Sequence, residues 1–397
     1  MTTAPPDPAT ELLPVAHVHP GTPVRLLSTA PEPAVAVRGS ALIEELAASG
    51  LRGRGGAAFS VATKWRGVAA GPGPRVVVAN GAEGEPASWK DRYLLRTRPH
   101  LVLDGLLLAA EALNANRAIV YVTRPEDEQA VRTALAGRSG SAVEIVTAAD
   151  RYVAGEETAV VRAIDEGIAL PRAKPPRPYE KGVDGRPTLI QNIESLAHAA
   201  WIARHGAEAF REVGTPGSPG TTLITVNAGE RTTLFEVALG TPLRDIVGEA
   251  GAVLAGGYFG GLLPASRLDL PLDYDAFRAA GSGLGCAAFT VLQTGQCPLE
   301  LGTAVAGYFA AESSRQCGVC LNGTKAMAAA LERVRTGEHS EDDLDKLARW
   351  ATTLPGRGAC ALLDGAALLV RSLLEHFADE IRYHLRRTCP AREEHQP

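Results

Sequence analysis

The chain has 397 residues, of which 45% are hydrophobic and 21% are charged, with a formal net charge of −5. This length accommodates two or three domains, and the charge balance gives no support for nucleic-acid binding. The sequence contains neither an apolar run of about eighteen residues nor a basic leader followed by an apolar stretch, so we expect no membrane span and no signal peptide. Six cysteines at irregular spacings predict a reducing, cytoplasmic setting.

Residues 1–36 contain eight prolines, which fix φ and remove backbone donors, and we expect a tail or an extended wrap there. Beyond this stretch, apolar runs at Arg75 to Ala79, Ala118 to Val122 and Val143 to Val146 are typical of buried strands. Helical patterns separate them, the first at Leu101 to Leu113. This alternation predicts an α/β domain with a parallel sheet.

A glycine-rich segment runs from Gly50 to Phe59 and contains four glycines and two arginines. It precedes a predicted helix at Ser60 to Trp65. Such a loop brings backbone N–H groups and the arginines against a phosphate. The alternative is a flexible surface loop.

Two acidic turns follow predicted strands. Glu83 and Glu85 come after the strand that ends near Asn80, and Glu156 and Glu157 lie in a second turn. The carboxyl ends of parallel strands are where ligands bind in open α/β sheets. Carboxylates beside a flavin would disfavour negative charge on its reduced form and lower its potential. The alternative is a pair of solvated turns.

A cysteine motif near the C-terminus indicates an iron–sulfur site. Cys317 and Cys320 form a Cys-x-x-Cys pair, Cys360 lies further along, and Ser314 stands where a third clustered cysteine is typical. Three thiolates and a hydroxyl leave open a serine-bound iron, an open iron, or buried cysteines in a helical domain. Helices are predicted at Thr324 to Val334, after a capping Ser340, and from Cys360 onwards. The other three cysteines lie outside any ligand spacing and are expected to be structural: Cys286, Cys297 and Cys389.

In this order, the motifs resemble the NADH-binding flavoprotein subunit of respiratory complex I and its relatives in soluble hydrogenases and formate dehydrogenases. The resemblance covers nearly everything after about residue 40. Gly50 to Lys64 is similar to the family's FMN loop, Asn80 to Arg92 to its acidic turn, and Gly155 to Ala159 to its Gly-Glu-Glu-Thr-Ala motif. Asn192 falls on its Asn-Asn-Val-Glu-Thr element, and the surrounding segment Pro187 to Ser195 would cover the flavin.

The resemblance implies an architecture of three domains after the proline-rich tail at residues 1–36. These are an α/β FMN-binding and dinucleotide-binding domain at 37–215, a β-grasp domain (SLBB, ubiquitin-like) at 216–300, and a C-terminal α-helical iron–sulfur bundle at 301–397. It also implies cofactor-binding roles for Gly53, Arg54, Gly55, Gly56, Phe59, Lys64, Asn80, Glu83, Glu85, Glu156, Glu157 and Asn192. Glu83 and Glu85 are the expected catalytic pair, and Cys317, Cys320, Cys360 and Ser314 the expected iron ligands.

The implied function is electron transfer from NADH or NADPH through FMN to a 4Fe–4S cluster, with a 3Fe–4S or serine-ligated form left open. The implied acceptor is a protein such as a ferredoxin or another iron–sulfur subunit, and partner subunits would provide any membrane association. One alternative is a ferredoxin-linked flavoprotein without NADH activity. Another is a non-catalytic assembly module that retains the fold.

The sequence departs from the family pattern at four places. Ser314 replaces a cysteine, Ala82 stands where the acidic turn begins with aspartate, Gln191 replaces the first asparagine of a pair, and Arg177 replaces an aromatic residue. In the family, aromatic rings sandwich the adenine of NADH, and each stacked ring contributes roughly 1 kcal/mol to binding. An arginine in place of one ring offers only a cation–π contact. FMN binding is therefore better supported than NADH binding, and Arg177 leaves NADPH or another donor open.

Overall fold

The computed structural model describes residues 12–138, 142–340, 342–386 and 389. Residues 1–11 of the expected tail and most of the final ten residues of the expected helical domain lie outside this range. Ten strands are present in the described part: β1 (Val15–Val18), β2 (Arg75–Asn80), β3 (Ala115–Val122), β4 (Val143–Thr147), β5 (Thr188–Asn192), β6 (Thr221–Ala228), β7 (Arg231–Ala238), β8 (Ala252–Leu254), β9 (Leu262–Pro264) and β10 (Ala288–Leu292).

The described residues also form fourteen α-helices, which fall into three groups along the chain. The first sheet carries α1 (Ala41–Ser49), α2 (Val61–Ala69), α3 (Lys90–Thr97), α4 (Pro99–Ala112), α5 (Pro125–Ala136), α6 (Glu157–Glu166) and α7 (Ile193–Arg211). The second sheet carries α8 (Leu243–Val247) and α9 (Tyr274–Ala279). The C-terminal helices are α10 (Pro298–Ala311), α11 (Gly318–Thr336), α12 (Asp343–Thr353), α13 (Leu362–His376) and α14 (Ala378–Leu385).

The first sheet has the order β4-β3-β2-β5, and all of its pairings are parallel. The three strands predicted from apolar runs are β2, β3 and β4. Strand β5 was not predicted, because Pro187 to Ser195 was expected to be a segment covering the flavin. The segment is a buried strand leading into α7, and its place beside a flavin stays a prediction. Asn80 and Asn192 are register partners at the carboxyl ends of β2 and β5, which places both amides at the edge where ligands bind.

The second sheet has six strands in the order β1-β7-β6-β10-β8-β9 and mixes parallel with antiparallel pairs. Its hairpin β6-β7 is antiparallel, and β10 returns parallel to β6. The described part of the proline-rich stretch is an extended wrap whose strand β1 runs parallel to β7. The backbone amides of Arg25, Leu26 and Leu27 donate to the buried Glu236 carboxylate, so this wrap is fastened to the second sheet.

The C-terminal helices pack around a common apolar core that includes Phe309, Met327 and Leu373. The predicted helices correspond to α11, α12 and α13, whereas α10 and α14 were not predicted. Ser340 was expected to cap the second of these helices, but it does not directly precede α12. The helix begins at Asp343, whose carboxylate accepts from the Ser340 backbone N–H at 2.9 Å. Within the described residues, no helix combines the length and apolarity needed to cross a bilayer.

Candidate functional site

One cleft of about 860 Å³ lies where the three groups of elements meet. Most of the predicted cofactor residues line it: Gly53, Gly55, Gly56, Phe59, Lys64, Asn80, Glu83, Glu85, Glu156, Glu157 and Asn192. Cys360 lines it as well. Arg54, Ser314, Cys317 and Cys320 are not among its lining residues. The fold therefore brings most of the predicted cofactor residues to the wall of a single cavity.

The glycine-rich loop forms one side of this cleft, between α1 and α2. The Gly53 N–H donates to the Phe59 carbonyl at 2.8 Å and closes the loop. A Cβ atom on Gly55 would lie 3.1 Å from the Asn192 Cβ, and Gly56 has a φ of +107°, which side chains disfavour. The loop is a bare backbone cradle of the kind that accepts a phosphate.

The Arg54 side chain does not point into the cleft, which corrects the expectation that it meets a phosphate. Its guanidinium is buried and donates to the carbonyls of Pro219 and Thr221 and to the Tyr274 hydroxyl. The Glu194 carboxylate lies 3.9 Å away. Because an arginine has five donors in a fixed fork, it can join several carbonyls at once, and Arg54 uses this to tie the loop to the second sheet.

Lys64 and the two asparagines hold the strand ends and turns in place. The Lys64 ammonium donates to the Ile190 carbonyl at 2.6 Å, and burial lowers its pKa. Asn80 donates to the Gly155 carbonyl at 2.8 Å, which joins the two acidic turns. Asn192 caps α7 by accepting from the Glu194 backbone N–H at 3.0 Å. These contacts fix the floor of the cleft.

The Glu83 carboxylate is hydrogen-bonded and ion-paired by several neighbouring groups. It accepts from the Ser88 hydroxyl at 2.6 Å and from the backbone amides of Asp91 and Arg92, and it pairs with the Arg92 guanidinium at 3.1 Å. Burial works against its ionisation, but the charges of Arg92 and Lys90 and the Ser88 hydrogen bond prevail and lower its pKa. Glu83 thus caps α3 as a fixed anion, and its carboxylate is not free to transfer a proton.

Glu85 differs from Glu83 because it has no cationic partner among its hydrogen bonds. It accepts from the Tyr258 backbone N–H and the Tyr152 hydroxyl, both at 3.0 Å, and from the Ala87 backbone N–H at 3.3 Å. Burial raises its pKa to about 7, against the effect of these hydrogen bonds. Glu85 therefore changes charge near neutral pH at the wall of the cleft.

Glu156 and Glu157 lie at the rim among cations. Glu156 caps α6 and pairs with Lys174 at 2.8 Å. Glu157 lies 3.2 Å from Lys174 and 3.9 Å from both Lys64 and Arg177. The rim therefore has more positive than negative groups around Glu157, an arrangement suited to an anionic ligand.

The three predicted iron-binding cysteines gather between α10, α11 and the start of α13. The Ala359 backbone N–H donates to the Cys317 sulfur at 3.4 Å, and Cys320 and Cys360 belong to the same apolar cluster. Burial raises the pKa of the Cys320 and Cys360 thiols. The hydroxyl that contacts the Cys320 sulfur, at 3.7 Å, belongs to Ser313 rather than to the predicted Ser314.

Sequence reasoning missed several residues of the cleft wall. Lys90 is buried and lies 2.7 Å from Asp91 and 3.3 Å from Glu194. Tyr152 stacks on Phe259 with ring centroids 5.6 Å apart. Lys90 and Asp91 lie in the acidic-turn segment Asn80 to Arg92, so the sequence contained a signal that could have found them. Tyr152 and Phe259 are 107 positions apart, and no local pattern connects them.

The fold and the cleft define a class: flavoprotein subunits that carry an FMN domain and an iron–sulfur domain in one chain. Two family profiles match, described as the Nuo51 FMN-binding domain at residues 46–201 and the NADH-ubiquinone oxidoreductase-F iron-sulfur binding region at residues 301–384. The two matched ranges contain the glycine-rich loop and Cys360, whereas Gly256, Phe259, Gly285 and Cys286 of the cleft wall lie between them.

Curated relatives give the family. The chain is 35% identical over 379 residues to NADH-quinone oxidoreductase-F 2 of Rhizobium meliloti, covering 88% of this chain and 90% of the relative. It is 36% identical over 369 residues to NADH-quinone oxidoreductase-F of Mycobacterium tuberculosis, covering 85% and 83%. The chain belongs to the NADH-quinone oxidoreductase-F family, as the resemblance of its motifs indicated.

A solved structure shows the same fold. The match is a chain of an NAD+-reducing [NiFe]-hydrogenase in the H2-reduced state, with a TM-score of 0.85 and 31% identity, covering 94% of this chain and 68% of the other. The air-oxidised form gives a TM-score of 0.84. The prediction of an oxidoreductase subunit with FMN-binding and iron–sulfur domains is confirmed, and neither alternative is favoured.

Proposed function

We propose that the chain takes electrons from NADH at an FMN held in the cleft and passes them to an iron–sulfur cluster and then to a partner protein. The observation that carries this proposal is that Cys360 and the glycine-rich loop line the same cleft. A flavin accepts two electrons together and can release them singly. With both sites on one cavity wall, electrons need no second protein to travel between them.

The residues present fit FMN. Gly55 and Gly56 of the loop would supply backbone N–H groups for the phosphate, Gly53 closes the loop through its own N–H, and Lys64 adds a positive charge. Asn80 and Asn192 would face the isoalloxazine from the strand ends. Glu85 is the carboxylate whose charge would tune the flavin, whereas Glu83 would act by shaping the turn.

The cysteines fit a cluster through their donor set. Cys317, Cys320 and Cys360 supply soft sulfur ligands, and the Ala359 N–H on the Cys317 sulfur is the kind of hydrogen bond that tunes cluster potentials. We favour a 4Fe–4S cluster with Ser314 or water on the fourth iron, against a 3Fe–4S form. Because Ser313 contacts Cys320, it competes with Ser314 for this role.

The two serines can be separated by a matched pair of variants. Ser314→Cys should stabilise the cluster against air, whereas Ser313→Cys should not. Iron and sulfide analysis with EPR of anaerobic protein measures this: about four irons and a signal only after reduction indicates the four-iron cluster. A signal in the oxidised wild type would indicate the three-iron form. Greater stability in Ser313→Cys than in Ser314→Cys would reverse the assignment.

The donor is proposed from the cationic rim and one exposed ring. Phe59 lines the cleft and is 57% exposed, so its face is open to an adenine. Lys174 and Arg177 lie at the rim and suit the phosphates of a dinucleotide, and Arg177 also suits the extra phosphate of NADPH. Stopped-flow bleaching of the flavin by NADH and by NADPH tests this. If neither reduces bound flavin at millimolar concentration, a ferredoxin-like donor takes its place.

We also assign the predicted domains, with 37–215 as the FMN domain. The hairpin β6-β7 with β10 returning in parallel between β6 and β8 supports a β-grasp domain at 216–300. The packed helices α10 to α14 support a helical iron–sulfur domain at 301–397. The acceptor would be a ferredoxin or another iron–sulfur subunit in the cytoplasm, with any membrane association through partners.

A further inference from the structure

A second cluster of metal-ligating side chains lies in the C-terminal helices. In the part of the chain that the structure describes, one group of three such residues has all of its ligand atoms within 4.8 Å of one another: Cys297, His384 and Cys389. Their exposed fractions are 8%, 3% and 6%. None of the three lines the cleft, and none of the cysteines proposed for the iron–sulfur cluster belongs to the group. The group is therefore a separate set of ligating side chains.

The imidazole of His384 is oriented as a metal ligand would be. Its Nδ1 lies 2.8 Å from the Arg335 carbonyl oxygen, and because a carbonyl only accepts, Nδ1 must carry the hydrogen. Nε2 then carries the lone pair of the neutral ring and lies 3.1 Å from the Cys297 sulfur. A carbonyl that fixes the tautomer of the ring is the usual support of a ligating histidine.

The thiol of Cys297 is also favourably placed. Cys297 directly precedes α10, a helix of 14 residues. The amides at the start of a helix and the positive end of its dipole stabilise negative charge on a nearby sulfur. Burial opposes this effect and raises the pKa of the Cys297 thiol to about 11. A bound metal ion would favour the thiolate, which is the form of cysteine that ligates metals.

We propose that Cys297, His384 and Cys389 bind a zinc ion, with water or a small ligand in the fourth position. Two thiolates and an imidazole are a common donor set for zinc. With Zn–S near 2.3 Å and Zn–N near 2.0 to 2.1 Å, tetrahedral ligands lie about 3.5 Å apart. The Cys297 sulfur and His384 Nε2, which lie 3.1 Å apart, need only a small opening to reach that arrangement, and every ligand atom of the group is within 4.8 Å of the others.

The zinc ion would join the start of α10 to α14 and to Cys389. His384 is held in turn by the end of α11 through Arg335. The ion would therefore fix α14 and Cys389 against α11, the helix that carries Cys320. Such binding contributes directly to the stability of the folded state.

Metal analysis of the anaerobically purified full chain tests the proposal. We expect about one zinc per chain in the wild type, and less than about a tenth of that in His384→Gln and Cys389→Ser. Cys360→Ser should retain its zinc, which separates this site from zinc bound at vacated cluster positions. His376→Gln, a histidine on the neighbouring helix α13, should also retain it.

A second measurement covers the case in which the variants fail to fold. Wild-type protein treated with a chelator should gain thermal stability on addition of ZnCl2, and with Co2+ it should show a thiolate-to-cobalt charge-transfer band. The proposal is overturned if zinc is absent and neither ion has an effect, if Cys360→Ser loses the zinc instead, or if Cys297 and Cys389 are joined as a disulfide with the mass of the chain lower by two hydrogens.

Discussion

The flavin end and the cluster end of the cleft are formed by different kinds of chemical group. At the flavin end, the wall is backbone and paired charge: Gly55 leaves room for an approaching group, and Glu83 is already committed to Arg92. At the cluster end, Cys360 lines the cleft, and it packs with Cys317 and Cys320 in one apolar cluster. The flavin end is thus formed before any ligand binds, whereas the cysteines proposed for the cluster would become ligands only as thiolates.

This difference explains how the two ends tolerate change. A preformed cradle depends on shape, so a single methyl group in the wrong place disrupts it. A thiolate site depends on the number and type of donors, so it tolerates shifts in position and fails when a ligand is replaced. Each end can therefore be tested with a substitution aimed at the property on which that end depends.

The largest effect is expected from Cys360→Ser, because it replaces a soft ligand by a hydroxyl at the shared wall. The iron content should fall from about four per chain to near zero, while bound FMN stays near one per chain. Transfer of electrons to an iron–sulfur acceptor should be lost. Flavin and iron analysis with a ferredoxin reduction assay measures this. Retention of full iron would remove Cys360 from the ligand set.

The next largest effect is expected on the free energy of unfolding rather than on electron transfer. Arg54→Met should lower the free energy of unfolding by about 3 kcal/mol, because it removes a buried positive charge 3.9 Å from the Glu194 carboxylate and takes the guanidinium donor away from the Pro219 and Thr221 carbonyls. Denaturant unfolding measures the change. Arg278→Met removes an exposed arginine and should change stability little. If the two variants are equally stable, Arg54 does not tie the loop to the second sheet.

Gly55→Val tests the cradle. The added side chain meets the Cβ of Asn192, so FMN affinity should fall at least tenfold, which corresponds to about 1.4 kcal/mol. Fluorescence titration of the flavin-free protein gives the affinity. Gly307→Val is the control, since a Cβ there meets nothing within 4 Å. A folded Gly55→Val protein that binds FMN as tightly as the control would show that the loop is not the phosphate site.

The smallest expected effect concerns Glu85 and pH. The carboxyl pKa is raised to about 7, so the group is neutral at pH 6 and mostly ionised at pH 8. As the pH rises, its charge disfavours the reduced flavin, and the midpoint potential should fall over this interval by about 30 mV more in the wild type than in Glu85→Gln. Spectroelectrochemistry at both pH values measures the midpoint potential of the flavin. Glu375→Gln, on an exposed part of α13, should follow the wild type.

The sequence predicted the parts of the fold that local patterns encode. The parallel strands β2, β3 and β4 coincide with apolar runs in the sequence, and the glycines of the loop indicated a backbone binding site. Strand β5 was missed because its residues belong to a segment interpreted by resemblance as a cover. The N-terminal wrap was left open between a tail and a wrap, since its pairing with β7 connects residues more than 200 positions apart.

The sequence predicted which residues form the site better than it predicted where their side chains point. The position of Arg54 beside the glycines suggested a phosphate ligand, yet its guanidinium is turned toward carbonyls that lie 165 and 167 residues later. The difference between Glu83 and Glu85 also escaped the sequence, because Arg92 pairs with one carboxylate and only neutral donors reach the other. Direction and pairing are tertiary properties, and spacing along the chain does not carry them.

The contacts of Arg54 set an order of events during synthesis of the chain. The glycine-rich loop leaves the ribosome early, but the carbonyls and the hydroxyl that hold its guanidinium belong to residues 219, 221 and 274. Domains generally fold as units as they emerge. The loop can therefore take its final shape only after the second sheet has been made, and a nascent chain that ends near residue 215 should bind FMN more weakly than the finished protein.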